Sequence, residues 1–249
     1  MRLLVILGII VAVVVCSFIF YQSSAFTITD VRVIGAERLT NSYLERAAAV
    51  PAGSTLLRVD AGGIEQRLAA DPWVSSAKVE RQFPSTLVLS ISERSVAAVV
   101  EFQPSITSSE AVFWLISADG MWLGMVDDPD SGVYFPKEER SQYPRIFNVQ
   151  RAVHPQFGAM NTDEGIRNAL AVLKGFSPEM HSLVVSISAP DKGKTTLSLR
   201  NNVTVIFGAA EDIEAKETAI KTLLNEHPDT LISINVRVAN RPTYSSFEQ

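Results

Sequence analysis

The chain has 249 residues, 47% of them hydrophobic, and a formal net charge of −5. That is enough apolar material for a sizeable core in one or two domains. The acidic balance gives no reason to expect nucleic-acid binding, which would call for a basic patch.

Residues 3–21 form a continuous apolar run interrupted only by Ser17. As a helix it spans roughly 28 Å, about the hydrocarbon thickness of a bilayer. Three readings compete. Ser23-Ser24-Ala25 resembles a signal-peptide cleavage site, but the run exceeds a typical signal core. Cys16, the single cysteine, suggests a lipoprotein, but the bulky Val15 stands where a small residue is needed. The run is therefore read as an uncleaved anchor, covering residues 1–24 together with its short leading stub. Arg2 then places the N-terminus in the cytoplasm and residues 25–249 outside. With no cysteine beyond the anchor, the exported part is held by packing without disulfides.

Residues 25–96 read as a first domain of order β-α-α-β-β. Residues 26–35 form a strand ending at Gly35. Thr40 is a helix N-cap, with Leu39 and Leu44 placed as a hydrophobic staple for a helix over 41–49. Asp60 caps a second helix, which buries Ile64 and Leu68 and ends at Asp71-Pro72. A hairpin follows. Strand 74–81 puts Ala77 and Val79 on one face, Phe83-Pro84-Ser85 turns, and strand 86–92 turns Leu87, Leu89 and Ile91 inward.

Residues 97–244 read as a second domain, an antiparallel sheet with helices on one face, followed by a tail over 245–249. Strands are expected at 97–102, 112–117 and 121–126, the last two joined at Asp119-Gly120. Loops are expected at 103–109 and 127–132. A helix over 161–174 carries an Asn161/Glu164 capping box, and Gly175 is its left-handed cap. Strands at 183–188, 195–199 and 203–207 precede an amphipathic helix over 212–225 with Ile213, Ile220, Leu223 and Leu224 on one stripe. The final strand, 231–239 (LISINVRVA), alternates: Ile232, Ile234, Val236 and Val238 face inward, and Ser233, Asn235 and Arg237 outward.

The first domain, with VRVIGAERLT, GSTLLRVD and DPWVSSAKVERQFPSTLVLSISER, resembles a POTRA domain of the FtsQ/DivIB type. The resemblance rests on Gly35, Trp73, Val74, Val79, Arg81, Pro84, Glu93 and Arg94. It departs where Ser95-Val96 replaces the family's proline after Glu-Arg. WLISADG, SLVVSISAP, NNVTVIFG and INVRVANRP resemble the family's carboxy-terminal β-domain.

The resemblance implies a non-enzymatic, single-pass scaffold of the division machinery, enriched at the septum of the cytoplasmic membrane. Its implied partners are FtsB/DivIC-like and FtsL-like proteins and the septal peptidoglycan synthesis proteins. The region it implies as partner-binding contains Ile234, Val236, Arg237, Val238, Ala239, Arg241, Tyr244 and Phe247. If 231–239 lies at the sheet edge, it would accept a partner strand through its main chain, and residues 240–247 would add contacts, with Arg241 and Tyr244 as candidate anchors by residue type. Trp73 has a plain role as a core residue, and Glu93 and Arg94 as a solvated strand end.

No catalytic motif stands out. His154, His181 and His227 lie far apart, and no metal-ligand spacing, nucleophile elbow or phosphate loop is present, so no cofactor is expected. Two other classes remain. An export or envelope-assembly module with a POTRA domain needs a following barrel, and an anchored cell-wall enzyme needs a cleft with paired carboxylates.

Overall fold

A computed structural model describes residues 6, 8–15, 21, 24–103, 111–128, 133–228 and 230–247. Residues 8–15 are helical, but among the described residues no helix is long and apolar enough to cross a membrane. Much of the expected anchor lies outside the described residues, as does most of each expected loop at 103–109 and 127–132. The chain divides into two compact units, Met1–Glu93 and Arg94–Gln249.

In the first unit a 3₁₀ turn, Ser24–Phe26, leads to β1 (Asp30–Ile34), α1 (Asn41–Ala48), α2 (Ala61–Ala69), β2 (Val74–Gln82) and β3 (Thr86–Glu93). The strands are ordered β1-β3-β2, with β1 parallel to β3 and β2 antiparallel to it. Both helix starts are capped as the sequence indicates. Thr40 accepts from the Tyr43 N–H and Asp60 from the Gly63 N–H. Leu39, Leu44, Ile64, Leu68, Trp73, Leu87, Leu89 and Ile91 make the core. Gly35 has φ +82, and a Cβ there would stand 2.2 Å from the Ile91 carbonyl oxygen, so only glycine fits.

The second unit is one nine-stranded sheet of β4 (Val96–Phe102), β5 (Val112–Ser117), β6 (Trp122–Met125), β7 (Arg145–Phe147), β8 (Val184–Ser188), β9 (Thr196–Leu199), β10 (Thr204–Ile206), β11 (Leu231–Asn235) and β12 (Thr243–Ser246). The order across it is β12-β11-β10-β9-β8-β7-β4-β5-β6. The helices are α3 (Glu164–Gly175), α4 (Pro178–Leu183) and α5 (Ile213–Glu226). The expected antiparallel sheet is in fact mixed, because β4·β7, β7·β8 and β10·β11 pair in parallel. The helical crossovers explain two of these: α3 and α4 join β7 to β8, and α5 joins β10 to β11, returning each strand in its original direction. Val96 opens β4 of this sheet, so the expected boundary after residue 96 falls instead between Glu93 and Arg94. Ser245 and Ser246, expected in a tail, belong to β12.

The helix starts also differ from expectation. Asp163, not Asn161, caps α3 by accepting from the Ile166 N–H at 2.8 Å. Asn161 instead braces the turn, accepting from the Asp163 N–H and donating to its carbonyl. Gly175 is the last helical residue rather than a left-handed cap. A Cβ there would meet Ile213 Cδ1 at 2.6 Å, so its smallness sets how closely α3 approaches α5.

Buried polar groups fix the layer between helices and sheet. Asn168 donates to Thr195 Oγ1 (2.7 Å) and the Gly208 carbonyl (3.0 Å) and accepts from the Ala210 N–H (2.7 Å). The Lys216 amine donates to the carbonyls of Phe207 and Ala209, and burial holds its pKa below the ordinary lysine value. Burial pulls the Glu217 carboxyl up, but hydrogen bonds from Lys221 and Ser177 outweigh it and hold it below the ordinary range.

Candidate functional site

The two edges of the large sheet differ. Beside β6, the segment 158–161 runs alongside: Trp122 N–H donates to the Ala159 carbonyl, Gly158 N–H to the Trp122 carbonyl and Asn161 N–H to the Gly120 carbonyl. That edge is covered. At the other end β12 pairs on one side with β11 and is the last strand in the order.

The strand expected to be the edge, 231–239, is therefore an inner strand. It is also shorter than its alternation suggests. The Asn235 side chain accepts from the Arg237 N–H at 3.2 Å, an Asx turn that takes the chain out of the sheet. Val236 donates to the Ile206 carbonyl, and a second turn closes through Arg241 N–H to the Val238 carbonyl. Val238, expected inward, is 59% exposed. Ile232, also expected inward, is displaced outward by the bulge between Leu231 and Ser233.

The expected partner-binding residues thus fall into three groups. Ile234 and Val236 are fully buried beneath the edge and position it. Arg237, Val238, Ala239 and Arg241 lie in the turn entering β12. Tyr244 lies in β12 opposite Ile234, and Phe247 follows the strand, its N–H donated to the Thr230 carbonyl. Tyr244 is stacked on His227 at the end of α5, with ring centroids 4.4 Å apart, yet remains 46% exposed. On the opposite face the Ser233 and Ser245 hydroxyls meet at 2.8 Å. Among the described residues no strand pairs with the outer side of β12, and an edge of that kind beside the exposed side chains of Val238, Tyr244 and Phe247 can hold an extended peptide: the backbone supplies hydrogen bonds and the rings supply contact area.

β12 itself was not expected from the sequence. The available signal was the Asn240-Arg241-Pro242 turn between two stretches able to form strands.

In the first unit the resemblance residues have mechanical roles. Trp73 and Val74 are buried, Val79 nearly so, and Pro84 turns the β2–β3 tip. Arg81 donates to the Val59 carbonyl. Glu93 is not a solvated strand end: its carboxylate accepts the N–H groups of Glu37, Arg38 and Leu39. Arg94 belongs to the second unit, where it pairs with Asp119 at 3.0 Å. Burial raises the Asp119 carboxyl, but hydrogen bonds from Ser117 and Arg94 prevail and hold it below the ordinary range.

Among the described residues no cluster of His, Cys, Asp or Glu could hold a metal ion. Two clefts, one around Tyr143, His181 and Arg200 and one over Val185, Ser198 and Thr204, carry no carboxylate in their lining.

Two family models match the chain. Residues 26–94 match the POTRA domain of FtsQ type, and residues 113–239 match the C-terminal domain of cell division protein FtsQ/DivIB. Among curated relatives, the cell division protein FtsQ of Mycobacterium leprae is 29% identical over 206 residues, covering 83% of this chain and 53% of the relative. That of Streptomyces venezuelae is 28% identical over 229 residues, covering 91% and 77%. That of Mycobacterium tuberculosis is 26% identical over 206 residues, covering 83% and 57%. The chain thus spans between about half and three quarters of the length of these relatives.

Proposed function

Because the chain belongs to the FtsQ/DivIB family of cell division proteins, we propose that it is a non-enzymatic scaffold of the division machinery. It is held in the cytoplasmic membrane by residues 3–21, with residues 25–249 outside and the protein concentrated at the septum. It gathers FtsB/DivIC-like and FtsL-like proteins and through them helps control septal peptidoglycan synthesis. The partner contact is strand addition: an extended segment of the FtsB-like protein pairs with β12.

The observation that carries this reading is the unequal pair of sheet edges. The β6 side is closed by segment 158–161, and among the described residues β12 is open, beside exposed aromatic side chains. Aromatic residues and arginine dominate binding hot spots, and here they are Tyr244, Phe247, Arg237 and Arg241. The test is a double substitution, Tyr244→Ala with Phe247→Ala, in the full chain. Affinity for the FtsB-like protein, measured by titration calorimetry, is expected to fall at least roughly tenfold, the scale of one hot-spot residue. A folded double variant that binds as tightly as the parent sinks the β12 assignment. A fluorescent fusion that fails to reach mid-cell sinks the scaffold reading as a whole.

A further inference from the structure

One end of the first unit is built from three short segments held together by the backbone. Leu56 N–H donates to the Phe26 carbonyl, Ile28 N–H to the Ser54 carbonyl and Thr29 N–H to the Ser85 carbonyl. Thr27 and Thr55 form a β-bridge. The β2–β3 tip closes onto this end, the Phe83 ring standing edge-on to Phe26 with centroids 5.5 Å apart. Phe83 nevertheless leaves 55% of its surface exposed.

The charge at this end is unlike that of the chain as a whole. Segments 24–29, 51–58 and 81–86 contain no aspartate or glutamate, although the chain has 27; the flanking acids Asp30, opposite Thr86, and Glu80 are each paired with a cation, Arg32 and Lys78. They contain two cations, Arg58 and Arg81, both exposed. Each is oriented by one hydrogen bond, Arg58 Nε to Thr55 Oγ1 and Arg81 Nη2 to the Val59 carbonyl. A guanidinium has five N–H donors, so each retains donors for an anion.

The tether is short. The apolar run ends at Tyr21, five residues before Phe26. An extended chain gains at most about 3.5 Å per residue, and the 3₁₀ turn Ser24–Phe26 rises only about 2 Å per residue. Phe26 therefore stays within roughly 15 Å of the end of the span. The backbone bonds to Ser54, Leu56 and Ser85 give it no slack against the rest of the unit. The headgroup layer outside the hydrocarbon is about 5–8 Å deep, so this end is held at or next to it.

We propose that the end of the first unit tipped by Phe83 docks on the outer surface of the membrane, with Phe83 and Phe26 at headgroup depth and Arg58 and Arg81 on anionic lipid phosphates. Exposed apolar rings such as phenylalanine enter the headgroup and acyl boundary, and basic side chains are drawn to anionic lipid, so both features favour the same surface. The inference rests on the anchor reading given above, and its test separates the two.

The full chain, with Cys16→Ser, is reconstituted into vesicles of phosphatidylethanolamine and phosphatidylglycerol. Single cysteines at Phe83, Gln82 or Ile34 carry a bimane label, and flotation in carbonate reports insertion. Ile34 is also exposed, but it pairs with Ser90, about 13 Å further along β3 than Thr86 at the tip. Lipids brominated near the glycerol end are expected to quench the Phe83 and Gln82 labels at least roughly twofold more than the Ile34 label. The Gln82 position covers the possibility that Phe83→Cys disturbs the contact with Phe26. Arg58→Gln with Arg81→Gln is expected to reduce that quenching while leaving flotation unchanged. Equal quenching at Phe83, Gln82 and Ile34 in protein that floats overturns the docking and leaves the anchor standing. Protein that does not float overturns both.

Discussion

Glu93 offers a clear measurement of what a residue of the POTRA resemblance does. Its carboxylate accepts three backbone N–H groups in the loop before α1: Glu37 at 3.1 Å, Arg38 at 2.9 Å and Leu39 at 2.8 Å. Hydrogen bonds to a charged group contribute about 1.5–3 kcal/mol each, but the three are not additive, since exposed Glu37 regains water on truncation. The part-buried Arg38 and Leu39 groups dominate, so Glu93→Ala is expected to cost about 3 kcal/mol. That is a large fraction of the stability of a small domain. Glu93→Gln is expected to cost about half as much, because one oxygen still accepts while the amide confronts the Arg38 N–H. Native-state hydrogen exchange reads this directly. Amides of residues 37–44 should exchange about a hundredfold faster in Glu93→Ala. Unchanged protection there, with an unchanged unfolding midpoint, would refute the capping role and free Glu93 to be a docking residue.

The remaining predictions concern the interior and pH. Asn168→Ala removes three hydrogen bonds, those to Thr195 and Gly208 buried and that from Ala210 part-buried. It is expected to destabilise the second unit by about 2–4 kcal/mol, seen in denaturant unfolding, with residues 207–212 losing exchange protection first. The Tyr43 hydroxyl donates to Asp71, and that hydrogen bond, with burial and the carboxylate charge, pushes its pKa up to about 12. The folded first unit then keeps this proton where the unfolded chain loses it. The contribution is complete below pH 10 and vanishes as pH rises through about 12. Tyr43→Phe should remove that part of the alkaline loss, measured as unfolding midpoints across pH 9 to 12 against the parent; identical slopes would discard the assignment.

The first unit was legible in the sequence almost residue by residue. Its signals are local: Thr40 and Asp60 cap helices within one turn, and Leu87, Leu89 and Ile91 alternate without interruption. What the sequence concealed there was long-range, as in Glu93 reaching back 54 residues to Leu39. In the second unit the elements were mostly legible, but their order was not. Parallel pairing of β7 with β8 and of β10 with β11 depends on where crossovers land, which no periodicity encodes.

The edge of the sheet lies one strand beyond the expected one for a physical reason. An alternating run such as LISINVRVA carries no mark of a bulge at Leu231/Ser233 or of a side chain such as Asn235 bending the backbone away. The stripe Ile234–Val236–Val238 is continuous in sequence and broken in space. Tyr244 is a candidate anchor by residue type alone, and its stacking on His227 is a tertiary contact that no local pattern marks.

The covered β6 edge has a consequence for how many copies can assemble. Strand addition at both ends of a sheet makes each molecule a link, and links propagate into fibres. Under the proposed strand addition, a sheet whose far end is already lined by its own residues 158–161 would accept one strand at β12 and then stop. In that proposal the protein would be a terminus rather than a joint, and a complex built on it would have a fixed count through this sheet.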